Sequence, residues 1–205
     1  MKHIKMLSSL ICAAALLASC SGQKAPEITA EDNTRAVIDN IMTRASVREF
    51  TGQPIGDDTL EAIVRAGMAS PTGANQQPWA FVVVSERAAL DSLAAADPWA
   101  NLQTAAAAIV VCGDMQRKMD GAFGEYWIQD CSAASENILL AAHAYGLGGV
   151  WYGVYPATEF GSAIRHALGM PGYITPLNII ALGHPAAPAE PKDKWHPEHV
   201  HYQRW

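Results

Sequence analysis

Four stretches of this chain carry residue types that could do chemistry. The first is Arg44-Ala45-Ser46-Val47-Arg48-Glu49-Phe50, in which two guanidinium groups bracket a hydroxyl. Guanidinium binds oxyanions through paired N–H donors, so the spacing suits a phosphate clamp; a solvated helix end with two arginines is the alternative. The second is Pro71-Thr72-Gly73-Ala74-Asn75-Gln76-Gln77-Pro78-Trp79. Asn75 and Gln77 each present a donor and an acceptor that could read the polar edge of a flat heterocycle, while Gly73 allows close backbone approach. The same amides could equally satisfy a helix-to-strand turn. The third is Gly146-Leu147-Gly148-Gly149-Val150-Trp151-Tyr152-Gly153, either a glycine-lined approach to a ligand or a helix stop with a tight turn. It is not a dinucleotide fingerprint, since no strand precedes it and no helix opens from it. The fourth is Gly183-His184-Pro185 followed by Pro191-Lys192-Asp193-Lys194, whose lysines could reach a phosphate or stand in solvent.

The elements that must position these stretches follow from periodicity. Val37, Ile38, Ile41 and Met42 recur at helical spacing within residues 33–43. Asp58-Thr59-Leu60-Glu61 reads as a capping box opening a second helix to about Ala69. A polar loop (70–78) leads into a strand, WAFVVV, and Ser85 is expected to cap a helix through Ala95. The run AAAAIVVC predicts a strand ending at Cys112, and a long helix spans Tyr126 to Tyr145 with Ile128, Ala134, Ile138 and Leu139 inward. A short strand (149–154), a helix ending at Leu168 and a last strand (173–182) complete the pattern, and a Pro-rich tail of more than 20 residues runs to Trp205. Short strands irregularly interleaved with helices predict an α+β domain.

Composition bounds the rest. A chain of 205 residues, half of them hydrophobic, builds one well-packed domain. Its net charge of −6, 14 basic against 20 acidic residues, argues against nucleic-acid binding. There is no CxxC pair and no zinc spacing. Cys112 and Cys131 read as buried thiols, free rather than paired. Lys2 and Lys5 precede an apolar stretch, Met6 to Ala18, too short to span a membrane and suited to a secretory signal. It ends Leu17-Ala18-Ser19-Cys20, which is similar to the lipobox of bacterial lipoproteins, where the cysteine is acylated. The expected organisation is a signal peptide (1–19), a lipidated Cys20 with a small, polar tether (20–30), and one domain (31–205). Acyl chains would hold that domain at a bacterial membrane, exported to the periplasmic side or the cell surface, without spanning it. Loss of residues 1–19 would leave 12 basic against 20 acidic residues.

Taken together and in order, the four blocks resemble the nitroreductase family of FMN-dependent enzymes. RASVREF is similar to that family's Arg-Ser-x-Arg-x-Phe start, SPTGANQQPWAFVVV to its Asn-x-Gln-Pro-Trp loop and strand, and GLGGVWYG to its Gly-Leu-Gly-x-x-Trp-x-Gly segment; ALGHP and PKDK match its strand end and basic tail. The resemblance covers residue 33 to the C-terminus. It implies a nitroreductase-like α+β fold: a central mixed, mainly antiparallel sheet flanked by helices, with a C-terminal extension wrapping a partner subunit. It implies a homodimer with FMN at the interface. Arg44, Ser46 and Arg48 would hold the phosphate and ribityl end, with Lys192 and Lys194 completing the pocket. Pro71, Thr72, Gly73, Asn75 and Gln77 would come from the second subunit and lie along the ring. Tyr152 and Gly153 would sit near N5, with the Gly153 N–H as donor. Two departures stand out: Ala45 where relatives often have a basic residue, and Lys194 where they often have arginine, which keeps charge but loses the bidentate fork.

The chemistry implied is hydride transfer from NADH or NADPH to flavin N5 and then to a nitroaromatic or quinone-type acceptor, with no side-chain nucleophile and no metal. Arg48 is the candidate for stabilising the anionic reduced flavin. Phe123, Tyr126 and Trp127 would either line an aromatic slot for the acceptor or serve as core or dimer contacts. The alternative function is an exported flavin-binding or partner-binding lipoprotein without nicotinamide turnover. Dehalogenation is a third possibility, disfavoured because the chain shows no inserted lid.

Overall fold

Residues 29–205 are described by a computed structural model; the expected signal peptide, Cys20 and most of the expected tether lie outside them. The first helix, α1 (Ala30–Thr43), starts three residues before its apolar periodicity does. Thr29 caps it: its hydroxyl accepts the Asp32 N–H while the Asp32 carboxylate accepts the Thr29 N–H, a complete capping box. The box expected at Asp58 does not form. Helix α2 (Asp57–Met68) opens two residues earlier, with Gly56 at the N-cap and no side-chain cap. Ser85 likewise caps nothing, since α3 (Arg87–Ala96) begins after Glu86.

The strands are β1 (Trp79–Val84), β2 (Ala107–Asp114), β3 (Gly148–Gly153) and β4 (Ile174–Gly183), in the order β1-β2-β4-β3, every neighbouring pair antiparallel. The parallel element of the sheet is an isolated bridge, Ser46 to Gly149. Helices cover both faces. Alternation along β2 sends Val110 to one core with Leu90, Leu93, Ile164 and Ile179, and Ile109 and Val111 to the other with Ile63, Ile138 and Ile180. A central strand covered on both sides has no reason to alternate polar and apolar, which is why AAAAIVVC reads as an unbroken apolar run.

The long helix α4 (Tyr126–Ala144) lies with α2 over the second core, and α3 and α5 (Thr158–Ala167) lie over the first. On α4 it is Trp127, rather than Ile128, that is fully buried, together with Cys131, Ala134, Ile138 and Leu139. Cys131 Sγ donates to the Cys112 carbonyl at 3.3 Å, and both thiols are free. Gly146, at φ 73°, stops α4 in the left-handed region.

Two features are left without internal cover. None of the residues of α1 is buried, although Val37, Ile38, Ile41 and Met42 form an apolar face. The tail beyond Ala186, whose N–H donates to the Glu49 carbonyl, is exposed throughout, including Trp195, Tyr202 and Trp205.

Candidate functional site

The segment after α1 leaves the helix at Arg44, which is already extended (φ −61°, ψ 129°). In extended chain, residues two apart share a face. Val47 points into the core, so Arg44, Ser46 and Arg48 point together the other way. Val47 is held there by Gly148: a Cβ on Gly148 would lie 2.6 Å from the Val47 Cβ. The Val47 N–H donates to the Gly149 carbonyl at 3.1 Å, strapping the segment to the start of β3. Phe50 repeats the device, buried against Gly183, with its N–H on Thr104 Oγ1 at 3.1 Å.

Over this segment the tail folds back. Arg44, Ala45, Ser46 and Arg48 line a cleft of about 510 Å³ with Lys192, Lys194 and Trp195. All five residues expected at the phosphate end therefore meet in one cleft. Ile41 and Met42 of α1 form its apolar wall. Two acids that sequence reasoning did not anticipate, Glu190 and Asp193, line it as well. Arg44 is also paired with Glu136 of α4 at 3.5 Å, a contact across 92 positions that no local pattern announces.

Beyond the Ser46–Gly149 bridge, β3 runs on as an outer strand of the sheet. Val154 N–H donates to the Leu177 carbonyl, so antiparallel alternation turns the Gly153 N–H away from β4, toward that edge. A Cβ on Gly153 would meet nothing within 4 Å. The other β3 glycines serve protein packing instead: Gly148 admits Val47, and Gly149 admits Leu139 and Leu182. Gly149 to Gly153 is four residues, a span of about 13 Å. A ligand with an anionic group at one end and a flat polar ring at the other can thus lie along one edge, its anion in the cationic cleft and its ring beside the outward N–H.

Tyr152, expected beside Gly153 near N5, lies close to Arg48. Its side chain packs on the α3–α5 core, and its hydroxyl approaches the Asn101 carbonyl at 3.5 Å. Burial pushes the phenol above its ordinary pKa, and the charge of nearby Arg48 works against that rise. The strand backbone, not the Tyr152 ring, is what faces the edge.

The loop carrying Pro71, Thr72, Gly73, Asn75 and Gln77 lies elsewhere. It enters β1 at Trp79, opposite Gly113 and thus near the start of β4, whereas Gly149 faces Leu182 near its end. Gly73 is tied to Asp130, while Thr43 Oγ1 lies 2.9 Å from His143 Nε2. Thirteen residues of helix separate those anchor points, about 20 Å. Within the loop, Gly73–Asn75 forms a 3₁₀ turn, and Ala74, Asn75 and Gln77 all have positive φ, 48°, 56° and 51°. Gln77 Nε2 donates to Asn75 Oδ1 at 3.0 Å, leaving a donor on Asn75 and an acceptor on Gln77 turned outward. Against this loop lies the aromatic segment: a Cβ on Gly73 would touch Tyr126 and Met119, and Phe123 meets Tyr126 edge-on at 5.3 Å. Trp127 belongs to the core, while Phe123 and Tyr126 stay accessible.

The chain is similar to known proteins over most of its length. The sequence profile of the nitroreductase family matches residues 41–111 and 94–184. A provisionally named NADH dehydrogenase/NAD(P)H nitroreductase of Archaeoglobus fulgidus is 41% identical over 169 residues, covering 80% of this chain and 96% of that protein. A crystal structure of a protein from Bacteroides thetaiotaomicron with the same provisional name superposes with a TM-score of 0.77 at 43% identity, over 83% of this chain and 98% of the other. The NADPH:FMN oxidoreductase of Vibrio harveyi, solved with NAD+, superposes at 0.73 with 28% identity, over 82% and 77%. The chain belongs to the nitroreductase family.

Proposed function

We propose that this protein works as a homodimer that binds FMN and passes a hydride from NADH or NADPH, by way of flavin N5, to a quinone-type or nitroaromatic acceptor. FMN dependence and nicotinamide oxidation follow from the family. The dimer, the residue roles, the acceptor and the location are this reading's own. The observation that carries it is the cleft in which Arg44, Ser46, Arg48, Lys192 and Lys194 converge, on a segment bridged to the start of β3 through Ser46 and Gly149.

The residues present fit the cofactor. Four cationic groups and a hydroxyl, against the two acids Glu190 and Asp193, leave the cleft net positive and suit a phosphate dianion. The outward Gly153 N–H suits a ring nitrogen. Bound FMN would supply the hydride relay between nicotinamide and acceptor. Arg44, Ser46 and the two lysines bind the phosphate. Arg48, next along the same face, places positive charge toward the ring and stabilises negative charge there. Two considerations support the second copy: the uncovered apolar face of α1, and the roughly 20 Å of α4 between the cleft and the Asn75–Gln77 loop of the same protomer. The partner's loop would then close over the ring, with Phe123 and Tyr126 beside it as walls for a flat acceptor. Titrating the purified protein with FMN, then adding NADH or NADPH with and without menadione, tests the reading. Flavin that binds, bleaches and is reoxidised by menadione supports it; flavin that neither nicotinamide bleaches would sink it.

For location, the Leu17-Ala18-Ser19-Cys20 sequence supports an exported, lipid-anchored protein. Cys20→Ala should release the protein from the membrane fraction; continued sedimentation with membranes would contradict the anchor.

A further inference from the structure

The Asn75–Gln77 loop is held in a costly shape. Three residues with side chains, Ala74, Asn75 and Gln77, sit in the left-handed region, which a Cβ disfavours. Hydrogen bonds inside the loop supply part of the restraint: Asn75 N–H to the Thr72 carbonyl, Gln76 N–H to the Gly73 carbonyl, and Gln77 N–H to Thr72 Oγ1 at 3.1 Å. They define the turn, but they do not fix it to the body of the protein. That is done from α4. The Asp130 carboxylate is buried, 6% exposed, and its Oδ1 accepts the Gly73 N–H at 2.8 Å. One helical turn earlier, Tyr126 lies against the Cα of Gly73, where a Cβ would come within 3.1 Å of its ring. Residues 126 and 130 share a face of α4.

The geometry assigns Asp130 as a positioning residue: it locks the ring-reading loop to α4, and through α4 to the aromatic pair Phe123–Tyr126. The inference rests on the flavin reading above. A charge-assisted bond to a backbone N–H is shorter and stronger than a neutral one. Asp130 is buried, so truncating it removes the acceptor that this N–H has within the protein. Because one helix turn carries both the anchor and Tyr126, the loop that reads the ring and the wall that meets the acceptor move as one body. Asp130 touches neither ligand. Its effect is on where Asn75 and Gln77 point.

Three variants test this: Asp130→Asn, which keeps an acceptor oxygen at the same place, and Asp130→Ala and Asp130→Ser, which do not reach Gly73. Amide hydrogen exchange is followed at Gly73 and Gln77 in the cofactor-free protein, and FMN affinity, the visible flavin spectrum and KM for menadione in the loaded one. Loss of the anchor should speed exchange at Gly73 and weaken FMN roughly tenfold, the scale of one buried bond. It should also shift the flavin band and raise KM for menadione more than it lowers kcat. Asp130→Asn, which keeps the acceptor oxygen but not its charge, should recover most of each effect and fall between the parent and Asp130→Ala. Unchanged exchange at Gly73 in both truncated variants would overturn the assignment, as would Asp130→Asn behaving like Asp130→Ala. A merely structural carboxylate would lower the unfolding temperature and leave the flavin band in place, which also overturns it. Exchange that responds as expected in a protein that binds no FMN would retain the anchor and reject the flavin reading.

Discussion

Gly148→Ala is a single methyl group aimed at the joint between the sheet and the cationic segment. Its new carbon would stand 2.6 Å from the Cβ of Val47 and 2.8 Å from both its γ carbons. Gly148 lies in β3, paired with Gly183 of β4, so the strand cannot retreat cheaply. Val47 must move instead, and with it Ser46 and Arg48 on either side. Overpacking of this kind costs about 1–3 kcal/mol. For a domain of this size that is a fall of roughly 2–12 °C in unfolding temperature, at about 2–4 °C per kcal/mol. A displacement of an ångström at the anchors should weaken FMN as well, by roughly tenfold if one charge-assisted bond is lost. Because the close contact includes the Val47 Cβ itself, Val47→Ala cannot relieve it. Only Val47→Gly combined with Gly148→Ala moves the methyl group across the joint, and the double variant should recover FMN binding ahead of stability. The assays are thermal unfolding of the cofactor-free protein and FMN titration by fluorescence quenching. Gly148→Ala with parental stability and parental FMN affinity would refute the argument that this glycine seats the phosphate-binding segment.

Other outcomes follow from the same geometry. Lys192→Ala with Lys194→Ala should weaken FMN and flatten the dependence of its affinity on salt, because two of the four cations in the cleft are gone; an unchanged salt slope would remove the tail from the site. Ile38→Asp places a charge on the uncovered face of α1, where Ile38 is half exposed in one protomer. Analytical ultracentrifugation should show the dimer dissociating, and a variant that stays dimeric would put the interface elsewhere. Burial raises the Cys112 thiol from 9.0 to about 12 and raises Cys131 as well. A raised folded-state value means the folded protein holds its proton longer than the unfolded chain. That stability is present in full below pH 9 and is lost as pH rises toward 12, so chemical unfolding midpoints should fall over that window. Replacing Cys112 with Ala should remove part of the fall; no change in its steepness would show that other groups govern alkaline unfolding.

Much of this protein is legible before any coordinates. The alternating Arg44-Ala45-Ser46-Val47-Arg48 puts two guanidiniums and a hydroxyl on one face as soon as the chain is extended, and the buried Val47 decides which face. The unbroken run ending at Cys112 announces a strand covered on both sides. Helix starts are less legible: Asp58 and Ser85 carry capping chemistry, but the N-caps are Gly56 and Glu86, neither with a side-chain cap bond. Thr29, outside the apolar period, caps a helix that periodicity alone begins later.

What needed the tertiary structure are the relations between distant segments. Sequence patterns are local, while the fold brings positions 44–48 to 190–195 in the cleft, Arg44 to Glu136 beside it, and, away from it, Gly73 to Asp130. Nothing near Asp130 marks it out, since its partner is a backbone N–H 57 residues away, and a backbone group has no identity in the sequence. The same holds for Gly153: that it is a glycine is plain from the chain, but the outward turn of its N–H is set by which strand β3 pairs with. Residue types alone determined which chemistry was available, an oxyanion clamp and a loop of amides. Only the order of the strands and the length of α4 decided that the clamp and the loop stand at opposite ends of one protomer, because side-chain type travels with the sequence whereas direction and distance are properties of the fold.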